Sequence, residues 1–167
     1  MVSFMYVDKL DAAFVLGLLL VIGVTTFFML QSGPSAPHPC TAAVNLSNQL
    51  DCFAQDAANA SDLATCADAP LPDACAGLYA YRHGTIDSCS SWPDIQGCRY
   101  FYHSARLQYA SVNSSEGLAA CRSLSNATWR LSCLDRHAQI LKDATFCHEM
   151  EFDHYRNLCL DQVSRTT

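Results

Sequence analysis

The stretch "DATFCHEMEFDHYRNLC", Asp143–Cys159, sets two cysteines, two histidines and several acidic residues side by side. It reads either as a metal site or as one step of a disulfide framework, and that choice decides the fold. Structural zinc sites bring their ligands in close pairs, Cys-x2–4-Cys or His-x3–5-His. No Cys-x-x-Cys occurs anywhere in the chain. Cys147 and His148 are adjacent and point in different directions on a helix, and five residues separate His148 from His154. "HEMEF" carries Phe152 where the HExxH pattern needs its second histidine. The histidine pair alone meets a ligand spacing, and with no close cysteine pair beside it the framework reading is preferred.

The framework reading gains from the rest of the chain. Cys52, Cys75 and Cys133 are each followed by a cysteine after thirteen residues, at Cys66, Cys89 and Cys147. In each of these long steps an alanine stands five after the first cysteine: Ala57, Ala80 and Ala138. The step from Cys98 to Cys121 is longer by nine residues. Between the long steps lie short ones of eight or eleven residues, several with a bulky apolar residue three after the first cysteine: Trp92, Leu124 and Met150. A period of 23 residues early and 26 late marks stacked supersecondary units. The long steps are rich in Ala, Leu, Gln and Arg and lack proline, which predicts helices. Helix starts are expected at Asp73 after Pro72, Asp94 after Pro93, Ser125 or Asn126, and Asp153. Alternation at period two is absent. The expected fold class is all-α, with one N-terminal transmembrane helix followed by disulfide-stapled helix-turn-helix repeats.

Ten cysteines allow about 945 connectivities. Cysteines fourteen positions apart on one straight helix lie about 21 Å apart, beyond the roughly 4.4–6.8 Å between Cα atoms that a disulfide spans. Two regular schemes remain. Pairing across the long steps leaves Cys40 and Cys159 over. Pairing across the short steps gives Cys40–Cys52, Cys66–Cys75, Cys89–Cys98, Cys121–Cys133 and Cys147–Cys159. That scheme uses every cysteine and keeps the nine-residue insertion outside the closed loops. It is the preferred expectation.

The late units share a further pattern: a cysteine, an apolar residue three on, a turn, then Arg-x-x-Cys, with Arg130 before Cys133 and Arg156 before Cys159. This pattern resembles the cysteine-rich α-helical hairpin repeat ectodomains of small membrane-anchored archaeal proteins. It is also loosely similar to Sel1- and TPR-like repeats. It runs from about Cys52 to Cys159, and neither Cys75 nor Cys98 has the arginine. The resemblance implies an architecture and an interaction role, and no catalytic residue.

Ala12–Leu30, "AAFVLGLLLVIGVTTFFML", carries no charge over nineteen residues. At 1.5 Å per residue it extends about 28 Å, close to the hydrocarbon thickness of a bilayer. It has no polar face, as a buried core helix would, and the start "MVSFMYVDKLD" lacks the basic character of a cleaved signal. The expected organisation is a cytoplasmic tail over residues 1–11, a signal-anchor helix over 12–30, a Pro-rich linker over 31–39 and an extracytoplasmic domain over 40–167. All ten cysteines fall after the apolar run, as an oxidising compartment requires. Four Asn-x-Ser/Thr sequons, Asn45, Asn59, Asn113 and Asn126, fall on the same side and would be open to glycosylation there.

Fourteen acidic against nine basic residues beyond the linker argue against nucleic acid or an anionic lipid surface as partner. No phosphate-binding loop, nucleophile elbow or redox Cys-x-x-Cys is present, so no catalytic, cofactor-binding or metal residue is assigned and no cofactor is expected. A mitochondrial intermembrane-space protein would show twin Cys-x9-Cys rather than spacings of eight and eleven. The aromatic run Arg99, Tyr100, Phe101, Tyr102 is the candidate partner-binding face: on a helix these residues point round most of the circumference. The alternative is that the tyrosines pack between neighbouring repeats. The functional expectation is a single-span membrane protein whose ectodomain serves protein interaction or assembly, with a protein partner or membrane complex and no small-molecule substrate. The competing expectation is an extracytoplasmic enzyme or metal carrier using the histidines.

Overall fold

The computed structural model describes residues 38–166; the expected tail, span and most of the linker lie outside them. Among the described residues no helix is long and apolar enough to cross a membrane. They form five successive helical units with no strand. The first joins a 3-10 turn, Pro39–Ala42, to helix α1, Leu46–Ala60. The second joins Leu63–Asp68 to α2, Pro72–Arg82, and the third joins Ile86–Ser91 to α3, Ile95–Tyr109. The fourth consists of α4, Ser114–Arg122, and α5, Ala127–Leu141. The fifth consists of α6, Thr145–His148, and α7, Asp153–Thr166.

A disulfide closes each unit: Cys40–Cys52, Cys66–Cys75, Cys89–Cys98, Cys121–Cys133 and Cys147–Cys159, with Cα–Cα separations of 5.4–5.6 Å. These are the pairs across the short steps. Every unit makes the same turn inside its loop. The N–H of the residue three after the first cysteine (Ala43, Ala69, Trp92, Leu124 and Met150) donates to that cysteine's carbonyl at 3.1–3.3 Å. In the last four units that residue is buried. The apolar residue three after the cysteine is therefore the plug of the turn.

The arginine of the late units closes the wider loops. Arg130 donates to the Leu124 carbonyl at 3.3 Å, and Arg156 to the Met150 carbonyl at 2.7 Å. Eleven-residue loops leave the plug's carbonyl free to take this bond. The eight-residue loops carry Pro72 or Ile95 at the corresponding position, which cannot donate from a side chain.

The alanines of the long steps mark helix ends. The N–H groups of Asp62, Thr85 and Asp143 reach back to the carbonyls of Ala57, Ala80 and Ala138 at 3.0–3.2 Å. The residue before each donor is left-handed: Ser61 at φ 53°, Gly84 at φ 71° and Lys142 at φ 53°. This is the paired bonding that terminates a helix on a left-handed residue. All three alanines are fully buried.

Helix-turn-helix needs correction for the first three units, whose opening limb is 3-10. In the second and third units the left-handed stop on one side and a proline on the other, Pro70 or Pro93, confine the limb to a six-residue 3-10 segment. The insertion relieves this limit. It runs α3 on to Tyr109 and lets the next limb form the nine-residue α4. Asp73 is a second correction. α2 starts on Pro72 with no side-chain cap, and the Asp73 carboxylate instead accepts the Trp92 indole N–H at 2.7 Å. Asp94 and Asn126 do cap, receiving the Gly97 N–H at 2.9 Å and the Thr128 N–H at 2.9 Å.

The core is assembled from small residues and sulfur. Nine cysteines are at most 1% exposed, among Ala54, Ala57, Ala76 and Ala80. Phe53 and Phe146 are the largest fully buried side chains. Two apolar clusters result, one spanning the first three units and one the last two. α2 and α3 pack most closely, because Gly77 meets α3 where a Cβ would lie 2.4 Å from the Phe101 Cβ. The α3–α5 contact joins the two clusters, with the Trp129 indole donating to Asp94 at 3.2 Å.

Candidate binding groove

Close approach of α2 to α3 brings residues of four helices around one depression of about 150 Å³. Its walls are Ser47, Leu50 and Asp51 from α1, Ala74 and Leu78 from α2, and Arg136 from α5. Its floor is α3, through Tyr100, Phe101, Ser104, Ala105, Gln108 and Tyr109. A second depression of about 360 Å³ shares Asp51, Leu78 and Tyr109 with it and extends the groove to Tyr81 and Arg82. The lining mixes apolar and aromatic surface with hydroxyl, amide and charged groups, the composition that suits recognition of a protein segment.

The charges in the groove are unevenly matched. Arg82 is held by Asp51 at 2.9 Å and by Gln55 at 3.1 Å. Both partners are near 40% exposed, so the pair orients the α1–α2 wall more than it stabilises the fold. Arg136 is exposed. At the mouth, Tyr81 and Tyr109 stack with centroids 5.9 Å apart and leave Tyr109 54% exposed.

The four residues of the expected partner face are all half-buried. Tyr100 stacks on Trp129 at 4.9 Å and Phe101 meets the same indole edge-on at 5.8 Å. Tyr102 turns toward Tyr81 at 6.5 Å. One edge of Tyr100 and Phe101 thus packs between units while another lines the groove. Arg99 and Tyr102 are not among the lining residues. Leu50, Leu78, Tyr109 and Arg136 join the site from four helices, and only the repeat itself could have signalled this convergence.

A larger depression of about 600 Å³ lies between the two 3-10 limbs of the second and third units, against Tyr79 and Trp92. Both rings are over 90% buried and the Trp92 indole is taken by Asp73, so its aromatic surface is already used in packing.

The histidines divide sharply. His83, His148 and His154 are exposed, whereas His103 and His137 are buried. His137 Nδ1 lies 2.8 Å from the Cys133 carbonyl, which orients it as a donor, and 3.6 Å from the sulfurs of both Cys121 and Cys133. Those sulfurs are bonded to each other and offer no thiolate, so the cluster is a ring packed on a disulfide. Burial pushes the His137 pKa down against the opposing carbonyl bond. Burial and the nearby His137, Arg106 and Arg99 push His103 down to about 4. No nucleophilic side chain is hydrogen-bonded to either ring in the described residues.

All four sequon asparagines are exposed. Asn45, Asn113 and Asn126 are helix N-caps that accept through Oδ1. Capping accounts for these asparagines.

No family model, curated protein or solved structure matches the chain.

Proposed function

We propose that this protein is a membrane-anchored interaction module whose disulfide-stapled helical domain holds a segment of another protein in the α1–α2–α3–α5 groove. The observation that carries the reading is the groove itself: apolar and aromatic floor, polar rim, and side chains fixed from four helices of a cross-linked scaffold. A rigid scaffold loses little conformational entropy on binding, so a modest contact surface suffices. Five disulfides suit an oxidising compartment outside the cytoplasm, and the uncharged segment 12–30 would tether the module to the bilayer and raise its effective concentration there. The cysteine and arginine motif of the late units, similar to that of archaeal hairpin-repeat ectodomains, favours the same kind of role. Exposed asparagines at Asn45, Asn59, Asn113 and Asn126 would accept glycans, that on Asn45 beside the groove wall at Ser47.

The test is affinity capture by the full chain from detergent-solubilised native membranes, compared with Tyr109→Ala and Arg136→Glu. Both residues are exposed on the groove, so neither change disturbs the core. A partner that is retained by the wild type and lost with either variant supports the reading. A partner retained equally by all three excludes the groove as its site.

A further inference from the structure

The repeat departs from its own rule at one buried position. Five residues after the first cysteine of a long step stand Ala57, Ala80 and Ala138, each fully buried; in the third unit the same position is His103. An imidazole there is 92% buried by the complement of its 8% exposure, and its Nε2 has no hydrogen-bond partner. It sits on α3 at the joint to α5, where His137, the other buried imidazole, acts on it from across the joint. Arg99 and Arg106 act on it from its own helix.

No carboxylate of the elements packed on α3 acts on His103. α4 presents Glu116, which Arg106 engages at 3.8 Å, and Arg122, which is bound to Glu149. α2 presents Asp73, turned to the Trp92 indole at 2.7 Å, and Arg82, bound to Asp51. The 3-10 limb of the third unit presents Asp87, which is exposed. On α5, Asp135 accepts from Gln139 at 2.7 Å. A proton placed on His103 would therefore put a buried charge beside two guanidinium groups and a second imidazole. Such a charge is relieved only by admitting water.

Ser104 and Ala105, next to His103, are floor residues of the groove, and Arg136, next to His137, is its α5 wall. We infer that the α3–α5 joint is an acid-sensitive hinge: protonation of His103 opens the joint, displaces the α5 wall and releases whatever the groove holds. The consequence for a ligand rests on the binding role proposed above; the hinge itself does not.

The direction follows from the two protonation equilibria. In the closed joint His103 titrates at about 4, against 6.5 once it meets water. Above pH 6.5 both forms are neutral and the joint is at its tightest. As pH falls from 6.5 to 4, the open form gains protons that the closed form does not, and the opening equilibrium rises by about 80-fold, toward a full span of about 300-fold between the limits above and below both values.

Two indole N–H groups report on the hinge. Trp129 donates to Asp94 across the α3–α5 joint, and Trp92 donates to Asp73 across the preceding one, a bond of the same kind at a joint without a buried histidine. Hydrogen exchange of both indoles is followed by NMR on the full chain, 15N-labelled at tryptophan in detergent, from pH 7 to 4.5. The hinge predicts that Trp129 protection falls relative to Trp92 by about 40-fold between pH 6.5 and 4.5. It predicts a clearly shallower pH slope in His103→Ala, which restores the residue of the other units, and in His103→Gln, which keeps a polar side chain without titration, the remainder coming from the buried His137. A flat ratio in the wild type overturns the inference, as does an unchanged slope in whichever variant folds. A captured partner should elute at pH 4.5 from the wild type and remain on His103→Ala. If the indole ratio behaves as predicted but the partner stays bound to both, the hinge stands and the groove reading falls.

Discussion

Replacing Gly77 with alanine should destabilise the protein, although the same change in an exposed helix stabilises by about 1 kcal/mol. A Cβ at Gly77 would lie 2.4 Å from the Phe101 Cβ, 2.7 Å from the Tyr102 nitrogen and 2.8 Å from the Cys98 carbonyl oxygen. None of these is the free end of a flexible side chain, so no rotamer change makes room. α2 must back away from α3 by about 1 Å to restore ordinary contact distances. Overpacking of this kind costs about 1–3 kcal/mol, and a backbone obstacle places it at the upper end. Setting about 3 kcal/mol against the helix-propensity gain leaves a net loss of roughly 2 kcal/mol. For a domain of this size that lowers Tm by roughly 6–10 °C. The assay is thermal unfolding by circular dichroism with the disulfides intact. Gly84→Ala serves as the reference, since nothing lies within 4 Å of a Cβ there and only its φ of 71° is strained. That change should cost about 1 kcal/mol through conformation alone. A Gly77→Ala protein as stable as the wild type would refute the close packing of α2 on α3, and with it the floor of the groove.

Removing the fourth disulfide by Cys121→Ala with Cys133→Ala should lower stability by about 3 kcal/mol in denaturant titration; an unchanged midpoint would contradict its structural role. Arg156→Met keeps the apolar stem but abandons the Met150 carbonyl, and should cost about 1–2 kcal/mol. The exposed Arg165–Asp161 pair, treated the same way by Arg165→Met, should change stability by less than about 0.5 kcal/mol. Ser61→Gly should gain about 1 kcal/mol by relieving the left-handed backbone at φ 53°, measured on protein from a host that leaves Asn59 bare because Ser61 completes its sequon. Global stability should be highest above pH 6.5 and fall as pH drops toward 4, by up to about 3 kcal/mol through His103, and His103→Ala should show a correspondingly shallower slope, with the buried His137 still contributing.

The cysteine rhythm carried much of this architecture because it encodes local events. A plug three after the cysteine and an alanine five after it are set by turn and helix-end bonding within a few residues, so Trp92, Leu124, Met150, Ala57, Ala80 and Ala138 are readable from spacing. The left-handed stops at Ser61 and Lys142 left no trace, since neither is the glycine such a position favours. Asp73 reads as a cap because its competitor, the Trp92 indole, lies nineteen residues on. The groove was the least legible feature. Tyr100 and Phe101 stand out in the sequence, but Leu50, Tyr109 and Arg136 acquire meaning only when four helices converge. His103 was legible in principle as the odd residue in a repeated slot, but its burial was not.

The central claim, that each unit is a helical pair closed on itself by sulfur, is tested most directly by mass spectrometry of the unreduced, proteolysed chain. It should yield five linked peptide pairs, Cys40–Cys52, Cys66–Cys75, Cys89–Cys98, Cys121–Cys133 and Cys147–Cys159, with no alkylatable thiol. Links across the long steps, such as Cys52–Cys66 or Cys75–Cys89, or free thiols at Cys121 and Cys133, would contradict it.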